Sequence, residues 1–285
     1  MKPSVIILTY NSCDSLPATL RAALEVSDDV HVVDSFSRDD TAGIARAAGA
    51  TVVQHAFSSY GEQRNWAIDT LPLKYAWQLH LDADEVLEPE LIASILALPD
   101  TPPESGFLLA RNLRFLGRIL RHGGMSPTWH LRLFRNGVGR CEQRHYDQHF
   151  YLTAGGSRQL SGLMVDDVRM SLSEWTARHN RWSDAEVLEV QATAASSHRV
   201  PGRALGNAIE RKRFVRRLYN NSPLFVRPFG LFFYRFVLRL GFLDGTEGFI
   251  FWVLQTFWFR FLIDAKLYEA RAAGVNNSDR SANRL

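Results

Sequence analysis

Over the first hundred residues, short apolar runs alternate with segments whose apolar positions recur every three to four residues. SVIILTY (4–10) is a β-rich run. SLPATLRAALE (15–25) follows with helical spacing, with Ser15 where an N-cap belongs and Pro17 in the first turn. DDVHVVDS (28–35) predicts a second strand and DDTAGIARAAG (39–49) a second helix, ended by Gly49 at the C′ position. TVVQHAF (51–57), GEQRNWAIDTL (61–71), KYAWQLHLDADE (74–85) and EPELIASILAL (88–98) continue the alternation, with Pro89 in the first turn of the last helix. Such a series with short connections predicts an α/β fold with a mostly parallel, doubly wound sheet. Ligands of these sheets bind outside the carboxyl ends of the strands. Thr9-Tyr10-Asn11, Asp34-Ser35 and Asp82 to Asp84 are therefore expected to line one crevice.

The pattern changes after residue 105. GFLLARNLRFLG (106–117) and WHLRLFRNGVGR (129–140) predict strands with glycine turns, an antiparallel extension of the sheet. A polar helix rich in Trp and His follows over 171–192. The stretch 201–271 is different again, opening on the basic RKRFVRR (211–217) and continuing through residues crowded with Phe, Trp, Tyr and Leu. Its longest charge-free run, GFIFWVLQTFWF (248–259), has twelve residues, against about 20 for a spanning helix. The expectation is therefore a set of amphipathic helices lying in a membrane interface, not crossing it; Arg235 and Arg239 fall on one helical face. Residues 272–285 are expected to be disordered.

Charge sharpens this division. The net charge of +3 combines a balance of −5 over residues 1–200 with +7 over 201–271, and two oppositely charged regions imply two kinds of partner. A basic block beside apolar runs fits an anionic membrane surface; no RNA or DNA module accompanies it, so no nucleic acid is expected. The two cysteines, Cys13 and Cys141, are far apart and without CxxC spacing, which excludes a disulfide framework and a zinc site and suits a reducing compartment. The run after Met1-Lys2-Pro3 is too short for a signal peptide.

Candidate chemistry concentrates in LHLDADEVL (79–87). Three carboxylates close a strand that reads as buried, where unpaired charges are costly and repel one another. Asp82 and Asp84 could hold Mg²⁺ or Mn²⁺ with phosphate oxygens completing the shell, or the cluster could simply decorate the N-terminus of the next helix. Asp34 could contact a nucleoside, while Ser35, Ser37 and Asp40 could cap the following helix. Neither GxGxxG nor GxxxxGK[ST] occurs, and no GxSxG elbow. Arg121-His122-Gly123-Gly124 reads either as a loop that approaches a sugar or phosphate or as a plain turn; Trp175, His179, Asn180 and Trp182 read either as an acceptor platform or as helix core.

ILTYN, VVDSFSRDDT, QRNWAID and HLDADE, in this order and spacing, resemble the family 2 glycosyltransferases of GT-A fold. RNLRFLGRILRHGG, LRLFRNG and SLSEWTARHNRWSDAE resemble the branch of bacterial lipopolysaccharide-core and surface-polysaccharide transferases. The resemblance implies a Rossmann-like catalytic domain over 1–200, divided into a nucleotide-binding half (1–105) and an acceptor-binding half (106–200). It further implies that Thr9, Tyr10, Asn11 and Asp34 cradle base and ribose, that Arg64 and Asn65 close over them, that Asp82 faces ribose or metal, and that Asp84 ligates the metal. Phe36 and Arg38 stand where the family commonly has small residues, and RHYDQHF stands where the branch often has a His-Glu pair. Asp147 in that stretch is the expected catalytic base, with His145 and His149 as alternatives. The expected activity is inverting transfer from a nucleotide-diphosphate sugar, UDP favoured, to a lipid-linked or lipid-anchored glycan at the cytoplasmic face of the inner membrane. The rivals are transfer to a polyprenyl phosphate, a non-catalytic membrane adaptor, and a nucleotidyltransferase.

Overall fold

The computed structural model describes residues 1–143, 148–191, 219 and 221–282. The chain forms two compact units, residues 1–121 with 125–169, and residues 122–124 with 170–285.

The first unit is built on one curved sheet. Strands β1 (Ser4–Thr9), β2 (Val30–Asp34), β3 (Thr51–Gln54) and β4 (Trp77–Asp82) lie in the order β3-β2-β1-β4, all parallel, with Thr9 opposite Asp34 and Leu8 opposite Asp82. The strand order turns back at β1, between β2 and β4. Helices α1 (Leu16–Val26), α2 (Thr41–Ala47), α3 (Tyr60–Thr70) and α4 (Pro89–Leu96) are the connections that the spacing predicts. Alternation along β1 sets the layers: Val5 and Ile7 pack into the large core with Leu16, Leu20, Leu79 and Leu91, whereas Ile6 and Leu8 face Ala67 and Leu71 on the other side. Gly49 adopts φ +88° just beyond α2, as the C′ position requires.

Beyond β4 the sheet turns antiparallel. β5 (Glu85–Leu87), β6 (Gly106–Phe115), β7 (Arg118–Leu120), β8 (Thr128–Arg135) and β11 (Ser157–Val168) extend it in the order β4-β8-β6-β11-β5, with β7 on β6. β9 (Gly139–Cys141) and β10 (Phe150–Leu152) form a separate hairpin. β11 pairs parallel to β6, so the extension is mixed. The composition of SRQLSGLMVDDV does not announce β11, whose register slips between Gln159 and Leu163 around Gly162 at φ +89°. Glycine is needed there, because a Cβ would lie 2.3 Å from the backbone nitrogen of Leu91 in α4.

The second unit bears on three expectations. Helix α5 (Leu172–Gln191), grouped by sequence with the first 200 residues, belongs here: Arg260 reaches Glu186 at 2.8 Å, and Lys266 bonds the Asn180 carbonyl at 3.1 Å. Next, Gly241–Ala272 is one helical stretch of 32 residues, long and apolar enough to cross a membrane by length and composition. Asp264 within it is buried and paired with Arg227 at 2.5 Å. Third, residues expected to form a disordered tail continue the terminal helix, Phe259–Ala282; no proline interrupts it, and elongation adds one bond per residue to a helix already packed.

Candidate active site

The carboxyl ends of β1, β2 and β4 bring Thr9, Asp34 and Asp82 to one edge of the sheet, as the strand alternation predicts. Asp34 is fully buried and is met by the chain's own donors: Thr9 Oγ1 at 3.3 Å, Ser37 N at 3.1 Å and Gln54 Nε2 at 3.3 Å, besides the Ser37 hydroxyl. Ser37, read from sequence as a helix cap, instead closes a turn onto Asp34 and accepts from Asn11 N at 2.8 Å. Asn11 Oδ1 in turn accepts from Arg38 N at 2.8 Å. The loops after β1 and β2 are thus tied together, with Asn11 and Phe36 both at positive φ (48° and 58°), a conformation that costs a non-glycine residue on the order of 1 kcal/mol or more. Tyr10 and Phe36 stand out from this knot, each more than half exposed.

Asp82 and Glu85, at the end of β4, meet the protein's own arginines. Asp82 is gripped by Arg64 and, at 2.9 Å, by Arg132 from β8. Glu85, with no exposed surface, bonds Arg132 at 2.5 Å and Arg111 at 3.3 Å, and also accepts from Asp82 N at 3.0 Å. Burial pushes the Asp82 carboxyl upward, but the charges of Arg132 and Arg64 outweigh it and hold the group well below the usual carboxylate range. Arg64 is buried: it donates to the Leu81 carbonyl at 3.0 Å and lies 5.7 Å from the Phe150 ring centroid. His80, between Arg64 and Gln78, is kept neutral by burial and by the charges of Arg64 and Arg132.

Placement of the other expected residues varies. Asn65 engages the Cys141 backbone at both ends of its amide, each bond 2.9 Å, and so fastens α3 to β9. Asp84 is half-buried in the turn between β4 and β5, where its carbonyl accepts from Asp167 N at 2.9 Å. Asp147 and His145 lie outside the described residues. His149 is described, and its backbone nitrogen donates to Glu142 Oε2 at 3.0 Å. Trp175 and His179 are buried and stacked at 3.4 Å between centroids; they are core of the second unit, not a platform. The glycines of Arg121-His122-Gly123-Gly124 serve packing, since a Cβ on Gly123 would meet the Trp252 indole at 1.9 Å. Sequence reasoning missed Arg132, Arg111 and Gln54. An arginine inside an apolar strand such as LRLF is the signal that was available, because a buried guanidinium demands a carboxylate.

Among the described residues no three His, Cys, Asp or Glu side chains converge to make a metal cage. A divalent cation bound here would rest on one or two strand-end carboxylates and the diphosphate of a ligand, the arrangement Mg²⁺ ordinarily takes. Both Asp82 oxygens lie on arginines, and Asp84 stands two residues further on, in the turn before β5.

The parallel half, the reversal of strand order at β1 and the mixed extension give the chain a GT-A fold. The glycosyl transferase family 2 model matches residues 4–155, more than half of the chain, and the chain belongs to that family. Its curated relatives include uncharacterized glycosyltransferases of Rickettsia conorii (27% identical, covering 96% of this chain and 93% of the relative) and Rickettsia felis (28% identical, 98% and 94%). Among solved structures it resembles S. aureus TarS 1-349, crystallised with UDP-GlcNAc, at a TM-score of 0.48 and 14% identity over 95% of this chain and 92% of that one.

Proposed function

We propose that this glycosyltransferase performs inverting transfer from a nucleotide-diphosphate sugar, UDP favoured, to a lipid-anchored glycan at the cytoplasmic face of the inner membrane, in cell-envelope polysaccharide or lipopolysaccharide synthesis. The observation that carries the reading is the convergence of Thr9, Asp34 and Asp82 at the carboxyl ends of three adjacent parallel strands, with Asp84 in the turn that follows. Thr9, Tyr10, Asn11 and Asp34 frame the base and ribose pocket, with the exposed rings of Tyr10 and Phe36 offering faces to a base. Arg64 and Arg132 hold Asp82 ionised at the edge assigned to the ribose, and Asn65 fastens α3 to β9 beside it. Asp84 would hold Mg²⁺ or Mn²⁺ at the diphosphate, and the ion would supply charge neutralisation for the departing group. Asp147 takes the proton of the acceptor hydroxyl as that oxygen attacks the anomeric carbon and the bond from that carbon to the nucleoside diphosphate breaks.

Calorimetric titration of UDP and GDP into detergent-solubilised protein, with Mn²⁺ and with EDTA, tests the donor half. Metal-dependent binding of one nucleotide is expected, and Asp84→Asn should reduce it at least tenfold. No binding by folded protein would sink the transferase assignment of this crevice. Asp147→Asn should then lower transfer by about 10²–10⁴ without changing nucleotide affinity.

A further inference from the structure

Two guanidinium groups in the second unit carry charge that no carboxylate balances among the described residues. Arg235 Nη1 donates to the carbonyls of Gly123 at 2.9 Å and Gly124 at 2.7 Å. The Arg239 carbonyl accepts from Gly123 N at 2.8 Å, and its side chain flanks the next glycine. A Cβ on Gly124 would meet Nε and Nη2 of Arg239 at 2.9 Å and Nη1 of Arg235 at 3.1 Å, so both cations crowd one point on the loop. Asp244, the buried acid of this corner, is turned to His122 instead, accepting from its backbone nitrogen at 3.0 Å and approaching Nδ1 at 2.7 Å. The loop is thereby anchored, with Gly123 against Trp252 and the two arginines converging above Gly124.

Along the chain this pair is flanked by a collar of exposed apolar side chains: Phe233, Val237, Leu238, Leu240, Phe242 and Leu243, each at least 39% exposed. A patch of this kind is not at rest in water. Two adjacent cations make it a poor fit for a purely apolar protein surface, since like charges would be desolvated together. In a bilayer interface both features are satisfied at once, because the phosphate layer adjoins the hydrocarbon boundary.

We propose that Arg235 and Arg239, held by the His122-Gly123-Gly124 loop, form a binding site for the phosphate of an anionic phospholipid headgroup, with the collar inserted at the acyl boundary. The site rests on the membrane association proposed above and gives it a fixed point of attachment.

The test is flotation of the full-length protein with vesicles of phosphatidylcholine alone and of phosphatidylcholine doped with phosphatidic acid. Wild type should partition more strongly into the doped vesicles. Arg239→Gln, at an exposed position, should weaken that partition about fivefold, and Arg235→Gln with Arg239→Gln more than tenfold. Arg239→Lys should restore most of it. Arg181→Gln with Arg271→Gln removes the same charge from exposed positions elsewhere in the unit and should cost less than twofold. If the two double variants behave alike, or wild type floats equally with both vesicle types, the site is overturned while membrane association stands. If wild type floats with neither, the membrane reading itself fails.

Discussion

Arg132 decides whether the carboxylates at the end of β4 can coexist. It bridges Asp82 and Glu85, and Glu85 has no access to water. Arg132→Met would leave Glu85 with Arg111 alone, at 3.3 Å, and would strip Asp82 of one of its two counter-charges. Breaking a buried pair from one side costs about 3–5 kcal/mol, whereas replacing both partners with apolar residues often costs far less. Urea denaturation should therefore find Arg132→Met severely destabilised and Arg132→Met with Glu85→Met closer to wild type. A second residue-scale effect depends on pH. His179 is buried against Trp175 and titrates at about 4, because burial opposes its charge more than the bond to the Trp175 carbonyl favours it. Its folded value lies below the unfolded value of about 6.5, so between these limits the unfolded chain binds the extra proton. The stabilisation is complete above about pH 6.5 and is lost as pH falls toward 4, on the order of 3 kcal/mol in all. Melting curves across that window should show the loss, and His179→Phe should flatten it.

Elements differ in how much of themselves they announce. The helices and strands of the parallel half were legible because both periods are strong there: Val5, Ile7, Ile6 and Leu8 alternate between two cores, and Leu16, Leu20 and Ala23 repeat along α1. Strand β11 was not legible, since its residues alternate poorly and its register slips at Gly162. The strand is held by pairing with β6 and β5 and by the approach of α4, whose Glu88 N donates to the Leu163 carbonyl at 2.9 Å; those contacts are distant in sequence. Gly162→Ala should report this dependence. Its Cβ would strike the α4 backbone at a φ that disfavours any side chain, and a melting temperature lowered by the equivalent of at least about 2 kcal/mol is expected. For the candidate site, the strand-end acids were legible and their partners were not. LHLDADE shows charges in need of cations, but that Arg64 and Arg132 supply them depends on α3 and β8 arriving beside β4. Ser37 is a similar case, because a serine three residues after an aspartate can cap a helix or close a turn on that acid, and only the fold selects between them.

At the scale of the whole chain, two units carry two kinds of chemistry, and these should be separable by experiment. The first unit holds the strand-end carboxylates; the second holds the exposed aromatic surface and, over residues 201–271, a net charge of +7. Attraction between that charge and an anionic leaflet is screened by salt, the Debye length falling from about 10 Å at 0.1 M to about 3 Å at 1 M. Insertion of Phe233, Phe242 or Phe249 depends on apolar transfer, which salt does not weaken. Binding to anionic vesicles should therefore fall several-fold between low and high salt and then level off at a residual partition. Replacing Phe242 and Phe249 by Ser should remove the residual and leave the salt-dependent part. Asp84→Asn should abolish transfer while leaving both parts unchanged, because Asp84 belongs to the first unit and the membrane contact is proposed for the second. A vesicle affinity that fell in parallel with transfer in Asp84→Asn would mean that the two functions are not carried by separate surfaces. The basic aromatic unit would then have to be read as part of the transfer machinery itself.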